Sequence, residues 1–194
     1  NENKEREMLQ KPVLIGDPTI VWEKGRAKIT SKRFHFSDDR EEEWYFYGNE
    51  SSPSVIFAVT EDNRVIIGRQ WRGGSDCFVY ELLGGHPKPG QTQEEAARDE
   101  LLEEAGCIAE SFIALPEFWV DPSLNSVRII PFLAKGCRLV TKQKLDIGET
   151  IEVVKMPLNE WLRLVTSPEE NGYTKDGKTL AITLLALPHL GISF

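Results

Sequence analysis

Three glutamates, Glu100, Glu103 and Glu104, stand together in the segment Glu100-Leu-Leu-Glu103-Glu104-Ala-Gly106. On a helix, positions three and four apart share a face, so all three carboxylates would project from one side. Carboxylates held that close repel one another, and a divalent cation that takes their oxygens as ligands relieves the repulsion. Mg²⁺ prefers oxygen and keeps several of its waters, so two or three carboxylates suffice to hold it. A cation so held can bind phosphate oxygens, stabilise the charge that develops on them and activate a water. A solvated acidic helix face is the competing interpretation, and context must decide between the two.

The context is the set of elements that would position the glutamates. Thr92-Gln-Glu-Glu95 is a capping box, with Thr92 as N-cap and Glu95 three residues on, and it predicts a helix over 94–105. Gly106 is suited to end that helix in a left-handed conformation. Upstream, 78–83 reads as a strand that stops at Gly84-Gly85, where the chain can turn tightly. A loop containing Pro87, Pro89 and Gly90 then returns the chain to the helix. A strand–loop–helix unit of this kind gathers backbone groups and carboxylates around one point.

Residues 85–107 resemble the Nudix box, G-x5-E-x7-R-E-U-x-E-E-x-G-U with U apolar. In register, the sequence supplies Gly85, Glu100, Leu101, Glu103, Glu104, Gly106 and Cys107, and departs at Gln91 for the first glutamate and at Asp99 for the arginine. Gln70-Trp71-Arg72 and Tyr80-Glu81-Leu-Leu-Gly-Gly85 resemble the corresponding stretches of the ADP-ribose and nucleotide-sugar pyrophosphatase branch. The resemblance implies that Glu100 and Glu104 ligate Mg²⁺ or Mn²⁺, with Glu103 as a further ligand or catalytic group and the Gly84 carbonyl beside them. It implies that Glu149, on a later loop, is the catalytic base or another ligand, with Asp146 and Glu152 as competitors. Arg72, Glu81 and Trp71 match positions that line the substrate cleft. Trp71 or Trp119 could stack a base, although buried core tryptophans are commoner. Asp99 reverses the charge of an arginine that orients a catalytic glutamate in the family. Arg98, rotated about 100° round the helix, is not an obvious replacement.

Elsewhere the sequence reads as strands over 19–22, 26–36, 43–47, 54–59, 64–69, 112–120, 128–134 and 150–155, with helices over 157–165 and 178–187. The expected fold is α+β, a Nudix α/β/α sandwich with a mixed central sheet and an N-terminal antiparallel β-element. The expected division is an arm and β-element over 1–50, matching a dimerising sheet of the branch, and a catalytic domain over 51–194. The 194 residues carry a net charge of −8, which disfavours nucleic acid and anionic membranes as partners. No apolar run approaches the roughly 18 residues of a membrane helix. Three scattered cysteines argue against a disulfide framework, and a cytoplasmic location is the expectation.

The resemblance implies a divalent-metal-dependent hydrolase that cleaves the diphosphate of ADP-ribose or a related nucleotide sugar, acting as a homodimer on a small nucleoside diphosphate derivative. Two alternatives remain open at this point. One is a catalytically impaired Nudix-fold protein that binds a nucleotide or partner. The other is a Nudix pyrophosphatase for a different nucleoside diphosphate derivative.

Overall fold

The computed structural model describes residues 10–25, 27–48, 51–145, 150–168 and 173–192. The chain divides into two compact units, one formed by 1–50 and 121–127, the other by 51–120 and 128–194.

In the first unit, β1 (Val13–Lys24), β2 (Ala27–His35) and β3 (Glu41–Tyr47) form an antiparallel sheet in that order. β1 starts at Val13, ahead of the strand expected over 19–22. Its register shifts between Ile15 and Thr19 and again between Ile20 and Trp22. Such bulges break the two-residue alternation by which a strand is recognised, and Gly16 takes a φ of 67° at the first of them. Phe34, Trp44 and Phe46 make ring contacts across β2 and β3, with Phe34–Trp44 centroids 5.5 Å apart. The 121–127 segment joins this unit through the Tyr47 N–H, which donates to the Leu124 carbonyl at 2.8 Å.

The second unit carries β4 (Ser54–Val59), β5 (Arg64–Arg72), β6 (Cys77–Glu81), β7 (Leu83–Gly85), α1 (Gln93–Ala105), β8 (Cys107–Ile108), β9 (Ser111–Ala114), β10 (Phe118–Trp119), β11 (Arg128–Lys135), β12 (Arg138–Leu139), β13 (Glu152–Pro157), α2 (Leu158–Thr166), β14 (Tyr173–Lys175) and α3 (Gly177–Ala186). The main sheet runs β10-β11-β4-β5-β6-β14, with β13 on β5, β7 on β4 and β9 on β11. It is mixed, because β11 runs parallel to β4 and β14 parallel to β6, while the other pairings are antiparallel.

Helices cover both faces. Every residue of β4 is buried, and its side chains divide between two cores by alternation. Val55, Phe57 and Val59 pack with Trp161, Leu164 and Val165 of α2 and Ile182 and Ala186 of α3. Ile56 and Ala58 pack with Ala97, Leu101 and Ala105 of α1. This is the α/β/α layering expected of the sequence.

Two strands expected to be continuous are split. The 78–83 strand breaks at Leu82, and β7 leaves β5 to pair with β4, Gly84 opposite Val55. The 112–120 strand is interrupted at Pro116, which has no N–H to give to a ladder. Pro157 caps α2 from outside instead of opening its first turn.

Candidate active site

The glutamate-bearing helix is fixed at both ends. The Glu95 N–H donates to Thr92 Oγ1 at 3.2 Å and the Thr92 N–H to Glu95 Oε2 at 2.8 Å, completing the capping box. Ser54 Oγ, fully buried on β4, lies 2.8 Å from the Gln93 carbonyl, and Gln93 Nε2 donates to the Ser52 carbonyl at 3.2 Å. The C-cap is Gly106, at φ 64°, where a Cβ would stand 2.1 Å from the Thr141 carbonyl oxygen.

Glu104 faces inward with Ala97, Leu101 and Ala105 and is only 5% exposed. Its Oε2 accepts the Gly84 N–H at 2.9 Å, so helix and strand end meet at a carboxylate. Two adjacent glycines permit this for different reasons. Gly84 has φ 152°, and a Cβ there would stand 2.2 Å from the Ser54 carbonyl oxygen. At Gly85 the obstacle is functional: a Cβ would stand 2.1 Å from Glu100 Oε1. The Glu100 carboxylate therefore rests in the space that the missing side chain leaves.

Glu103 is turned to the loop, where Lys88 Nζ donates to its Oε1 at 3.0 Å. The Lys88 ammonium is held above its ordinary pKa, first by the hydrogen bond and charge of Glu103, with smaller contributions from Asp99 and Glu100. Gln91 Nε2 donates to Asp99 Oδ2 at 2.7 Å, and Gln91 Oε1 accepts the Lys88 N–H at 2.9 Å. Arg98 points elsewhere: it pairs with Glu94 at 2.7 Å and lies 4.3 Å over the Phe112 ring.

Whether these residues suit a divalent cation can be judged from their chemistry. Glu100, Glu103 and Glu104 supply hard oxygen donors on one helix, and Gly84 and Gly85 bring backbone against two of them. Among the described residues, no three Asp, Glu, His or Cys side chains are already gathered as a cage. Glu103 is engaged by Lys88 and Glu104 by the Gly84 N–H. The donor set fits Mg²⁺ or Mn²⁺, which retain waters and need few protein ligands, provided that the side chains draw together.

The cleft positions expected beside the carboxylates form a second charged group. Glu81, only 2% exposed, accepts from Arg72 Nε at 2.8 Å and lies 3.4 Å from Lys178 Nζ. Lys178 also pairs with Asp176, the N-cap of α3. Burial pushes the Lys178 ammonium below its usual range, the Glu81 charge opposes this, and Arg72 adds to it. Trp71 and Trp119 are 55% and 48% exposed, so neither is a core tryptophan; that place is filled by Trp161. Trp71 Nε1 donates to Asp76 Oδ1 at 3.1 Å, and Arg128 lies 5.5 Å from the Trp119 ring centroid. Glu149 and Asp146 lie outside the described residues. Glu152 is tied to Arg69, whose Nε donates to it at 3.0 Å.

The sequence reasoning passed over Lys88 and Lys178. Lys88 sits in a loop whose Pro-Lys-Pro-Gly spacing says only that the chain turns. Asp176-Gly-Lys178-Thr179 carries an N-cap signal, with Asp176 Oδ1 accepting the Thr179 N–H at 2.7 Å, but nothing local shows that Lys178 meets Glu81.

Comparison with known proteins places the chain among relatives. The model of the NUDIX domain matches residues 50–176. An ADP-ribose pyrophosphatase of Bacillus subtilis (strain 168) is 30% identical over 116 residues, covering 59% of this chain and 63% of that protein. An ADP-sugar pyrophosphatase of Mus musculus is 31% identical over 131 residues, covering 64% and 60%. The matched region thus spans about three-fifths of the length of these two relatives. A crystal structure of an ADP compounds hydrolase superposes with a TM-score of 0.79 at 22% identity, covering 94% of this chain and 96% of that one, a likeness of fold.

Proposed function

The chain belongs to the Nudix family, and on that premise we propose that it hydrolyses the diphosphate linkage of ADP-ribose or a related nucleotide sugar, releasing a nucleoside monophosphate and a sugar phosphate. The observation that carries this function is the junction of α1 with β7, where Glu104 is buried on the Gly84 N–H and Glu100 lies against Gly85.

Glu100, Glu104 and Glu103, with the Gly84 carbonyl, would hold Mg²⁺ or Mn²⁺. Bound there, the cation would supply charge stabilisation for the diphosphate oxygens and lower the pKa of a water. The fixed helix ends keep the carboxylates where charge develops, which limits reorganisation during reaction. Arg72 presents a guanidinium suited to a phosphate, and Glu81 accepts from its Nε. Trp71 offers an exposed ring to a base. Glu149 is assigned as the base that orients the attacking water, and Glu103 as the alternative.

The test is incubation with ADP-ribose and a panel of nucleotide sugars in Mg²⁺, Mn²⁺ or EDTA, with products separated by chromatography. Metal-dependent release of a nucleoside monophosphate is expected. Glu104→Gln should lower it by about a hundredfold or more, since it removes a charge at the metal. Folded protein without turnover on any compound would sink the assignment. The second function, ligand binding without turnover, draws on Asp99 and Gln91. Calorimetric nucleotide binding with no product would establish it.

We further propose a homodimer built on the first unit, where Ile20, Val21, Trp22, Trp44, Tyr45 and Tyr47 are all exposed. Light scattering that gives only monomer at micromolar concentration would overturn this. A cytoplasmic location is proposed because Cys77, Cys107 and Cys137 are free thiols; recovery in a membrane or extracellular fraction would contradict it. No helix among the described residues is long and apolar enough to cross a membrane.

A further inference from the structure

We propose that Lys88 is a tethered counter-cation of the carboxylate cluster, holding Glu103 in place and competing with a divalent cation for that carboxylate. The inference rests on the assignment of Glu100, Glu103 and Glu104 as metal ligands.

Four observations carry it. First, the Lys88 backbone is fastened beside the helix. Its N–H donates to Gln91 Oε1 at 2.9 Å, its carbonyl accepts the Gln91 N–H at 3.0 Å, and Gln91 Nε2 is in turn bonded to Asp99. Second, the ammonium of Lys88 reaches Glu103 Oε1 at 3.0 Å. Third, α1 has no basic residue in its last turn, and Arg98 is committed to Glu94. The cation bonded to Glu103 therefore comes from the loop, at a helix whose family arginine position is occupied by Asp99. Fourth, the Lys88–Glu103 contact is made at one point and is open to solvent, with side-chain exposures of 59% and 38%.

These features describe a charge that can be exchanged. A lysine ammonium is a compact, well-hydrated cation on a flexible stem, unlike the planar fork of an arginine that grips a carboxylate at two points. An exposed lysine–carboxylate pair is weak and screened by salt. A carboxylate oxygen that ligates Mg²⁺ or Mn²⁺ at about 2.0–2.1 Å cannot at the same time keep an ammonium 3.0 Å away without strong repulsion between the two cations. Metal entry at Glu103 thus sets two cations against one carboxylate, and Lys88 lowers how tightly that metal is held.

The test is Mn²⁺ binding to the full chain, followed by the electron paramagnetic resonance of free Mn²⁺ at low ionic strength. It compares wild type, Lys88→Gln, Lys88→Arg and Lys135→Gln. Lys135, whose ammonium bonds the His189 carbonyl, controls for net charge alone. Circular dichroism confirms that each variant is folded. Lys88→Gln should tighten Mn²⁺ binding about three- to tenfold, and the difference should shrink as salt rises. Lys88→Arg should bind no more tightly than wild type, and Lys135→Gln should stay within about twofold of it. Equal or weaker Mn²⁺ binding in Lys88→Gln, with wild type still binding, would overturn the role of Lys88 and leave the metal assignment intact. Absence of Mn²⁺ binding in wild type would overturn both.

Discussion

Gln91 and Asp99, the two positions at which the loop–helix motif departs from its family pattern, are bonded to each other, Nε2 to Oδ2 at 2.7 Å. The departures are therefore bonded partners in the fold. A neutral donor meets a carboxylate where the family pattern has a glutamate and an arginine, and the loop stays fastened to the helix.

Coupling of this kind is measurable in a double-mutant cycle. Asp99→Arg alone sets a guanidinium, which only donates, against the Gln91 Nε2 donor and should lower stability in urea unfolding. Gln91→Glu combined with Asp99→Arg should recover most of the loss, with an interaction energy of about 1 kcal/mol. Strictly additive effects would show that the two residues act independently.

Gly84 and Gly85 should respond differently to the same methyl group. Gly84→Ala forces a Cβ against the Ser54 carbonyl at a φ of 152°, and should cost about 1–3 kcal/mol of stability. Gly85→Ala first meets the flexible end of Glu100. It should leave the unfolding midpoint nearly unchanged while weakening Mn²⁺ binding by displacing that carboxylate. A Gly85→Ala protein that binds Mn²⁺ as wild type does would separate Glu100 from the metal.

The capping box makes a prediction in pH. The Glu95 carboxyl is held below its ordinary value of 4.5, first by the backbone hydrogen bond from Thr92 and then by the Thr92 side chain. A carboxylate whose pKa is lowered by folding stabilises the fold above its unfolded value. That contribution is lost as pH falls through and below it. Glu95→Gln should therefore be less stable than wild type at neutral pH, and the gap in melting temperature should close in acid. A gap independent of pH would mean that charge at Glu95 is irrelevant to the cap.

Glu81 and Lys178 should be linked across the second charged group. Lys178→Met leaves a buried carboxylate with Arg72 as its remaining described partner and should cost about 1–3 kcal/mol. Adding Glu81→Gln should restore part of the loss, because the buried charge goes with it. Lys178→Met as stable as wild type in urea would show that Arg72 alone satisfies Glu81.

Features that depend on neighbours along the chain are legible in the residues alone. The capping box at Thr92 and Glu95, the glycine that ends α1, and the shared face of Glu100, Glu103 and Glu104 are contacts within about one helical turn, so spacing reveals them. Spacing also carried the family, since a 23-residue motif survives two substitutions. Tertiary structure decided the rest. Only the pairing of β7 with β4 brings Gly84 to Glu104, because the chain changes partner strands at Leu82. β4 hid its two faces by being buried on both, and β1 hid its start behind two bulges. Lys88 reaches Glu103 across 15 positions and Lys178 reaches Glu81 across 97, distances over which residue type and spacing carry no record of contact.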